Sequence, residues 1–176
     1  MMKRFLMLFF LNTLFLVSFA FAQNLKIGVI DIKKVVNESK YGQEVMKKLQ
    51  ERYNELSKKL QAKAKELDAL KKEIETKSSL WSREVREKKQ REYEKKLREF
   101  RAFQEDSQYE MQELQKKLLN PVFDELEKIV KEFIKKEGYD LVFEKNQPGL
   151  YYASSKIDLT EKIIKLFDEY YLKHKK

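Results

Sequence analysis

Cysteine is absent from this chain, so no disulfide can staple it and no CxxC pair exists. Histidine occurs once, as His174 in "LKHKK" near the C-terminus, and reads as a solvated tail residue. With no HExxH, GxSxG or P-loop sequence, the usual routes to metal, acyl-transfer or nucleotide chemistry are missing. Carboxylates are plentiful, yet they alternate with lysines in runs such as "EVREKKQREYEKKLREF". That is the pattern of a solvated helix face with i, i+4 pairing. These absences argue against an enzyme, and no cofactor is expected.

Glycine and proline are scarce as well. Gly28, Gly42, Gly138, Gly149, Pro121 and Pro148 are all there are, and none lies between Gln43 and Asn120. A stretch of that length rich in Lys, Glu, Gln, Leu and Arg predicts helix. Its first half carries an apolar stripe at Val45, Leu49, Tyr53, Leu56, Leu60, Ala64, Leu67, Leu70 and Ile74, in steps of three and four. A second stripe runs through Tyr93, Leu97, Phe100, Phe103, Met111, Leu114 and Leu118. Both are amphipathic in the helical sense. Lys77 to Ser82 interrupts the stripe with three serines, which marks the reversal of a hairpin. Two antiparallel helices would then form an arm roughly 50 to 60 Å long at 1.5 Å per residue. One unbroken helix is the alternative, since no glycine marks the turn.

Such an arm is too thin to contain a core, so the core has to come from the two ends. "LKIGVID", Leu25 to Asp31, is a short apolar stretch that predicts a buried strand. Pro121 is expected to open or kink a helix through "VFDELEKIVKEFIKKEG", with Lys135 and Lys136 at its C-terminal end and Gly138 just past it. "YDLVFEK", "QPGL" and "LYYAS" read as a β-hairpin around a type II turn at Pro148 and Gly149. Asp158 is placed to cap a last helix, with Glu161 at capping-box spacing. The fold class is therefore α+β and mostly α. The body is assigned to residues 23–42 and 120–176, and the arm to 43–119 with its tip near 77–82. Three short strands would leave two open edges, and without disulfides such a sheet calls for association between copies.

The N-terminus has a basic start (Lys3, Arg4), apolar runs Phe5–Leu11 and Leu14–Val17, and an Ala-Phe-Ala ending at Ala22. This is the form of a secretory signal peptide over residues 1–22. No cysteine follows it to carry a lipid. Removing Lys3 and Arg4 takes the formal charge from +9 to +7. Export argues against nucleic acid as the partner of that charge. Acidic protein segments and anionic lipid head groups suit it better.

Charge is placed unevenly. Between Lys71 and Arg101 twelve Lys or Arg face seven Glu, so much of the excess falls on the distal arm. Trp81, the only tryptophan, lies in the same stretch beside Leu80. At the tip it could plug the two helix ends together with Leu80 and Val85, offer an amphipathic contact point, or do both.

The order of parts resembles the OmpH-like, or Skp, family of periplasmic chaperones. The resemblance is carried by "KIGVIDIKKVVNES" with "YGQEVMKKLQ", by "LLNPVFDELEKIVKEFIKKEGYDLVFEKN", and by "LYYASSKIDLTEKIIKLFDEYY". It implies a homotrimer whose strands meet in a central β-barrel body, with three helical arms around a cavity. It also implies that unfolded outer-membrane β-barrel proteins are held there in the periplasm without ATP. On this reading the arm-tip client contacts are Lys77, Leu80, Trp81, Arg83, Val85, Arg86, Lys88, Lys89, Arg91, Lys95 and Lys96. Strand alternation assigns Ile27, Val29, Leu141, Phe143 and Tyr151 to trimer or body packing. Anionic lipid and lipopolysaccharide are further candidate partners, though no residue can be matched to a lipopolysaccharide cluster. An exported coiled-coil scaffold and a peripheral lipid binder remain the alternatives.

Overall fold

The computed structural model describes residues 25–175; the signal-peptide assignment to residues 1–22 lies outside them. Strand β1 (Ile27–Ile30) opens the chain and leads into α1 (Ile32–Glu38) and α2 (Lys40–Lys77). A 3-10 turn at Ser78–Leu80 precedes α3 (Arg83–Glu137), which is followed by β2 (Leu141–Glu144). A second 3-10 turn (Ser155–Ile157) leads to α4 (Thr160–His174). The fold is mostly helical, with one small sheet.

Local chemistry sets the element ends. Asp31 caps α1 by accepting from the Lys34 amide at 2.8 Å. Ser39 ends α1 and starts α2: its amide donates to the Val35 carbonyl, and its hydroxyl accepts from the Gly42 amide at 3.2 Å. The joint is tight, because a Cβ on Gly42 would stand 1.6 Å from the Val36 carbonyl oxygen. Gly138 closes α3 in the left-handed conformation (φ 68°), with Lys135 and Lys136 in the last turn, as the sequence predicts.

The hairpin expected for the arm is present. At 38 residues α2 is about 57 Å long, and α3 runs back along it. Pro121 does not open a new helix: α3 continues through it from Arg83 to Glu137. The exposed proline gives up one helical hydrogen bond on the solvent side. Buried Val122 and Leu126 anchor the same segment on the other.

The β-hairpin is a clear correction. The Gln147–Leu150 turn forms, with Gly149 at φ 99°, but residues 150–154 make no strand among the described residues. Instead β2 pairs in parallel with β1, in the register Ile27↔Leu141 to Ile30↔Glu144. The chain then passes the opposite edge of β1, where the Leu159 amide donates to the Val29 carbonyl at 2.8 Å. Asp158 caps α4 as expected: it is extended and its carboxylate accepts from the Thr160 amide at 3.0 Å, with the helical Leu159 between them, while Glu161 accepts from Lys34. The Asp158 carboxylate also accepts from Lys145 Nζ at 2.7 Å. Partial burial pushes this carboxyl up, but the Lys145 and Thr160 hydrogen bonds prevail and hold it at about 2.

The core forms where both chain ends meet the base of the arm. Ile30, Val35 and Val36 pack with Val45 and Leu49 of α2, Val122 to Phe133 of α3, and Ile163, Ile164 and Phe167 of α4. The last turn of α4 is tied to α2. Glu44 accepts from Tyr171 Oη at 2.7 Å and from Lys175 and Lys48. His174 is exposed, but stacks on Tyr170 with ring centroids 4.1 Å apart instead of trailing in solvent.

Two outcomes follow from this packing. Gly42→Ala should lower stability by about 1–3 kcal/mol or more, because backbone and not a flexible side chain fills the space; urea unfolding of residues 23–176 measures it. Hydrogen bonds from Lys175, then Tyr171 and Lys48, hold the Glu44 carboxyl at about 2, below its ordinary 4.5. A depressed carboxyl stabilises the fold above its unfolded value and ceases to do so as pH falls through the folded one. Near-ultraviolet circular dichroism between pH 5 and pH 2 should therefore show α4 loosening on acidification, and Glu44→Gln should remove part of that dependence.

Candidate functional site

The arm tip is built without glycine and with every φ negative outside Gly138 and Gly149. Lys77 ends α2, the 3-10 turn follows, and Trp81 is extended (φ −96°, ψ 152°), its amide donating to the Ser78 carbonyl at 3.4 Å. Ser82 then caps α3, its hydroxyl accepting from the Val85 amide at 3.4 Å. The Ser82 hydroxyl therefore fixes the start of the returning helix without a glycine in the turn.

This backbone turns the indole back along the arm. Trp81 is half-buried in a shallow groove with Ile74, Ser78, Arg86, Glu87 and Gln90. Of the expected three-residue plug only Trp81 takes that place. Leu80 is 82% exposed and Val85 41%, so both are apolar side chains that the tip presents to solvent, Leu80 the more fully.

The basic residues divide by their partners. Lys89 reaches across the hairpin to Glu73 at 3.1 Å, and Lys96 to Glu66 at 2.9 Å. Those contacts lock one helix to the other. Hydrogen bonding to Glu66 holds the Lys96 ammonium above its ordinary value, and Lys96 holds the Glu66 carboxyl below its own. Arg83 and Arg91 share Glu87, and Lys95 pairs with Glu99 along α3. Exposed pairs of this kind contribute about 0–1 kcal/mol each. Among the described residues Lys77, Arg86 and Lys88 have no carboxylate within pairing distance. They are the part of the predicted cluster most free to meet an outside charge.

The five body residues do not share one environment. The strand register places Ile27, Val29, Leu141 and Phe143 on one face, while Ile30 and Val142 on the other join the core. Val29 is buried and Ile27 half-buried. Leu141 and Phe143 are each 47% exposed and Tyr151 is 99% exposed. Tyr152, missed in the sequence, is nearly as exposed as its neighbour. Among the described residues no cluster of His, Cys, Asp or Glu is placed to hold a metal. None of the described helices is long and apolar enough to cross a membrane.

Comparison with known proteins agrees with this geometry. Residues 26–167 match the family described as outer membrane protein (OmpH-like). An uncharacterized protein of Aquifex aeolicus (strain VF5) is 32% identical over 146 residues, spanning 83% of this chain and 88% of its own. A crystal structure from Caulobacter crescentus CB15, assigned as an outer membrane chaperone (OmpH-like), superposes with a TM-score of 0.70. It covers 83% of this chain and 85% of its own at 16% identity, and so shares the fold. The resemblance read from the strand and helix motifs is thus borne out, and the chain belongs to the outer membrane protein (OmpH-like) family.

Proposed function

We propose that this protein is an ATP-independent holdase chaperone of the periplasm, exported by a cleaved signal peptide. It captures unfolded outer-membrane β-barrel proteins between helical arms and keeps them from aggregating. The observation that carries the reading is the arm: a helical hairpin about 57 Å long that ends in a basic tip with an exposed leucine. Membership of the OmpH-like family supports it, as does the chaperone assignment of the Caulobacter protein with this fold.

Three copies would assemble through the body. The outer edge of β2 has no strand partner among the described residues, and Leu141 and Phe143 on that strand, with Tyr151 past the following turn, stand exposed. An open edge flanked by apolar side chains favours pairing with another chain. The arms would then enclose a cavity. Long-range attraction to Lys77, Arg86 and Lys88, with Arg83, Lys89, Arg91, Lys95 and Lys96 adding to the field, would draw in acidic stretches of a client. Leu80, Trp81 and Val85 would give the first apolar contacts. Many weak contacts in place of one tight pocket suit a client that must later leave.

Sedimentation velocity on residues 23–176, with and without a urea-diluted outer-membrane barrel protein and without ATP, tests this directly. A free trimer that shifts to a soluble one-client complex is the expected result. A trimer whose client pellets would replace the chaperone with an exported scaffold, and binding to anionic liposomes would then be tested. A triple Lys77→Glu, Arg86→Glu, Lys88→Glu variant should slow capture by about tenfold or more at low salt, and the difference should shrink as salt rises. Stopped-flow fluorescence of Trp81 on mixing with the client reports that rate.

A further inference from the structure

Midway along the arm the seam between α2 and α3 opens into a groove of about 460 Å³. Ten residues line it and none is charged, in a chain where 38% of residues are. Leu56, Leu60 and Met111 form its apolar floor, and Tyr53 stands 57% exposed at the rim. The α3 stripe passes here through Ser107, where Phe103 and Met111 one turn away on either side are large. The Ser107 hydroxyl is used locally, donating to the Phe103 carbonyl at 2.6 Å. The small side chain of Ser107, itself only 5% exposed, leaves a dent in the seam, and the Arg52–Glu110 ion pair joins the two helices beside it.

The polar part of the lining is a row of carboxamides. Gln104, Gln108 and Gln112 follow at four-residue steps, with Gln115 beyond them. None of their side chains makes a hydrogen bond among the described residues, and neither do those of Gln61 and Gln147 outside the groove, whereas Gln43, Gln50 and Gln90 bond locally. A carboxamide offers one acceptor and a donor group, the same pair that each residue of a polypeptide backbone presents. Four helical residues advance about 6.0 Å, and alternate residues of an extended chain about 6.6–6.8 Å. Over three glutamines the two repeats stay within about 2 Å of register. The groove is neutral and dipolar, as is a peptide backbone, and its floor is apolar.

We propose that this groove holds an extended segment of an unfolded polypeptide, with Gln104, Gln108 and Gln112 bonded to its backbone and alternate apolar side chains set over Leu56, Leu60 and Met111. The proposal rests on the holdase reading and adds a second station to it, a neutral one that retains what the basic tip attracts. Backbone recognition needs no particular sequence. The apolar alternation of a membrane-barrel strand supplies the face that the floor can cover.

The test uses the mature chain and a dye-labelled, urea-diluted outer-membrane barrel protein, followed by anisotropy without ATP. Gln108→Glu with Gln112→Glu keeps shape but replaces amide donors with charge. Gln50→Glu with Gln61→Glu makes the same charge change outside the groove. Ser107→Leu narrows the groove while adding apolar contact to the seam. The glutamine pair should bind about tenfold more weakly, as for the loss of one or two hydrogen bonds, Ser107→Leu should also weaken binding by filling the groove, and the control pair should match the unmodified chain. Ser107→Leu should also melt no lower than the unmodified chain, which separates lost binding from lost fold. Equal affinity in all variants, or an equal loss in the control, would overturn the groove alone. No soluble complex with the unmodified chain would remove the holdase reading and the groove with it.

Discussion

The parallel pairing of β1 with β2 is the constraint on which the rest of the molecule depends. A hydrogen-bonded ladder between Ile27–Ile30 and Leu141–Glu144 joins segments more than a hundred residues apart. Closing so long a connection costs chain entropy, and four ladder positions alone would not offset it. The compensation lies in the helices that the pairing brings together. Phe167, Ile163, Val35 and Val122 are fully or almost fully buried in a core to which α1, α3 and α4 all contribute. Because the crossover is itself two long helices, the residues that leave the body return to it, and everything between them projects as an arm.

Along the arm the physics changes. A single seam is covered, and each turn contributes one or two side chains to it. Ion pairs across the hairpin, Arg52–Glu110, Lys96–Glu66 and Lys89–Glu73, are spaced along its length. They hold register more than they add stability, since exposed pairs are individually weak. Local opening should be easier here than in the body, where buried contacts are dense. The holdase proposed above would benefit from such compliance.

The same division of labour organises the charges. Among the described residues, pairing along and across the helices leaves unpaired lysines and arginines in the body and along the arm, as well as three close together where the hairpin turns. Attraction at a distance and retention at contact have different physical demands. The first needs unpaired charge, found at Lys77, Arg86 and Lys88. The second needs apolar and dipolar surface free of competing charge, found in the glutamine-lined groove.

The long helices, their reversal and their caps were legible because they depend on neighbours in the chain. The breaker-free stretch, Ser82, Asp31 and Gly138 all act within one turn of their own position. The basic bias of the distal arm was equally plain, as it is a count along the sequence. Pairing was not legible: which lysines meet a glutamate across the hairpin depends on the phase of two helices. Nor was the hairpin after β2 correctly foreseen. "YDLVFEK" and "LYYAS" have strand composition and the turn between them forms, yet β2 pairs with β1 because the docked helices set those two edges side by side. Pro121 likewise looked like a boundary, and tertiary packing on its far side carries the helix through. Trp81 was placed at the tip by sequence, but the extended backbone there decided that the indole lies back along the seam while Leu80 faces solvent. By itself, then, the sequence determined local helicity, turn position and charge distribution, which are short-range properties. Strand partners, side-chain facing and the open mid-arm groove were decided only when long-range packing fixed one helix against another.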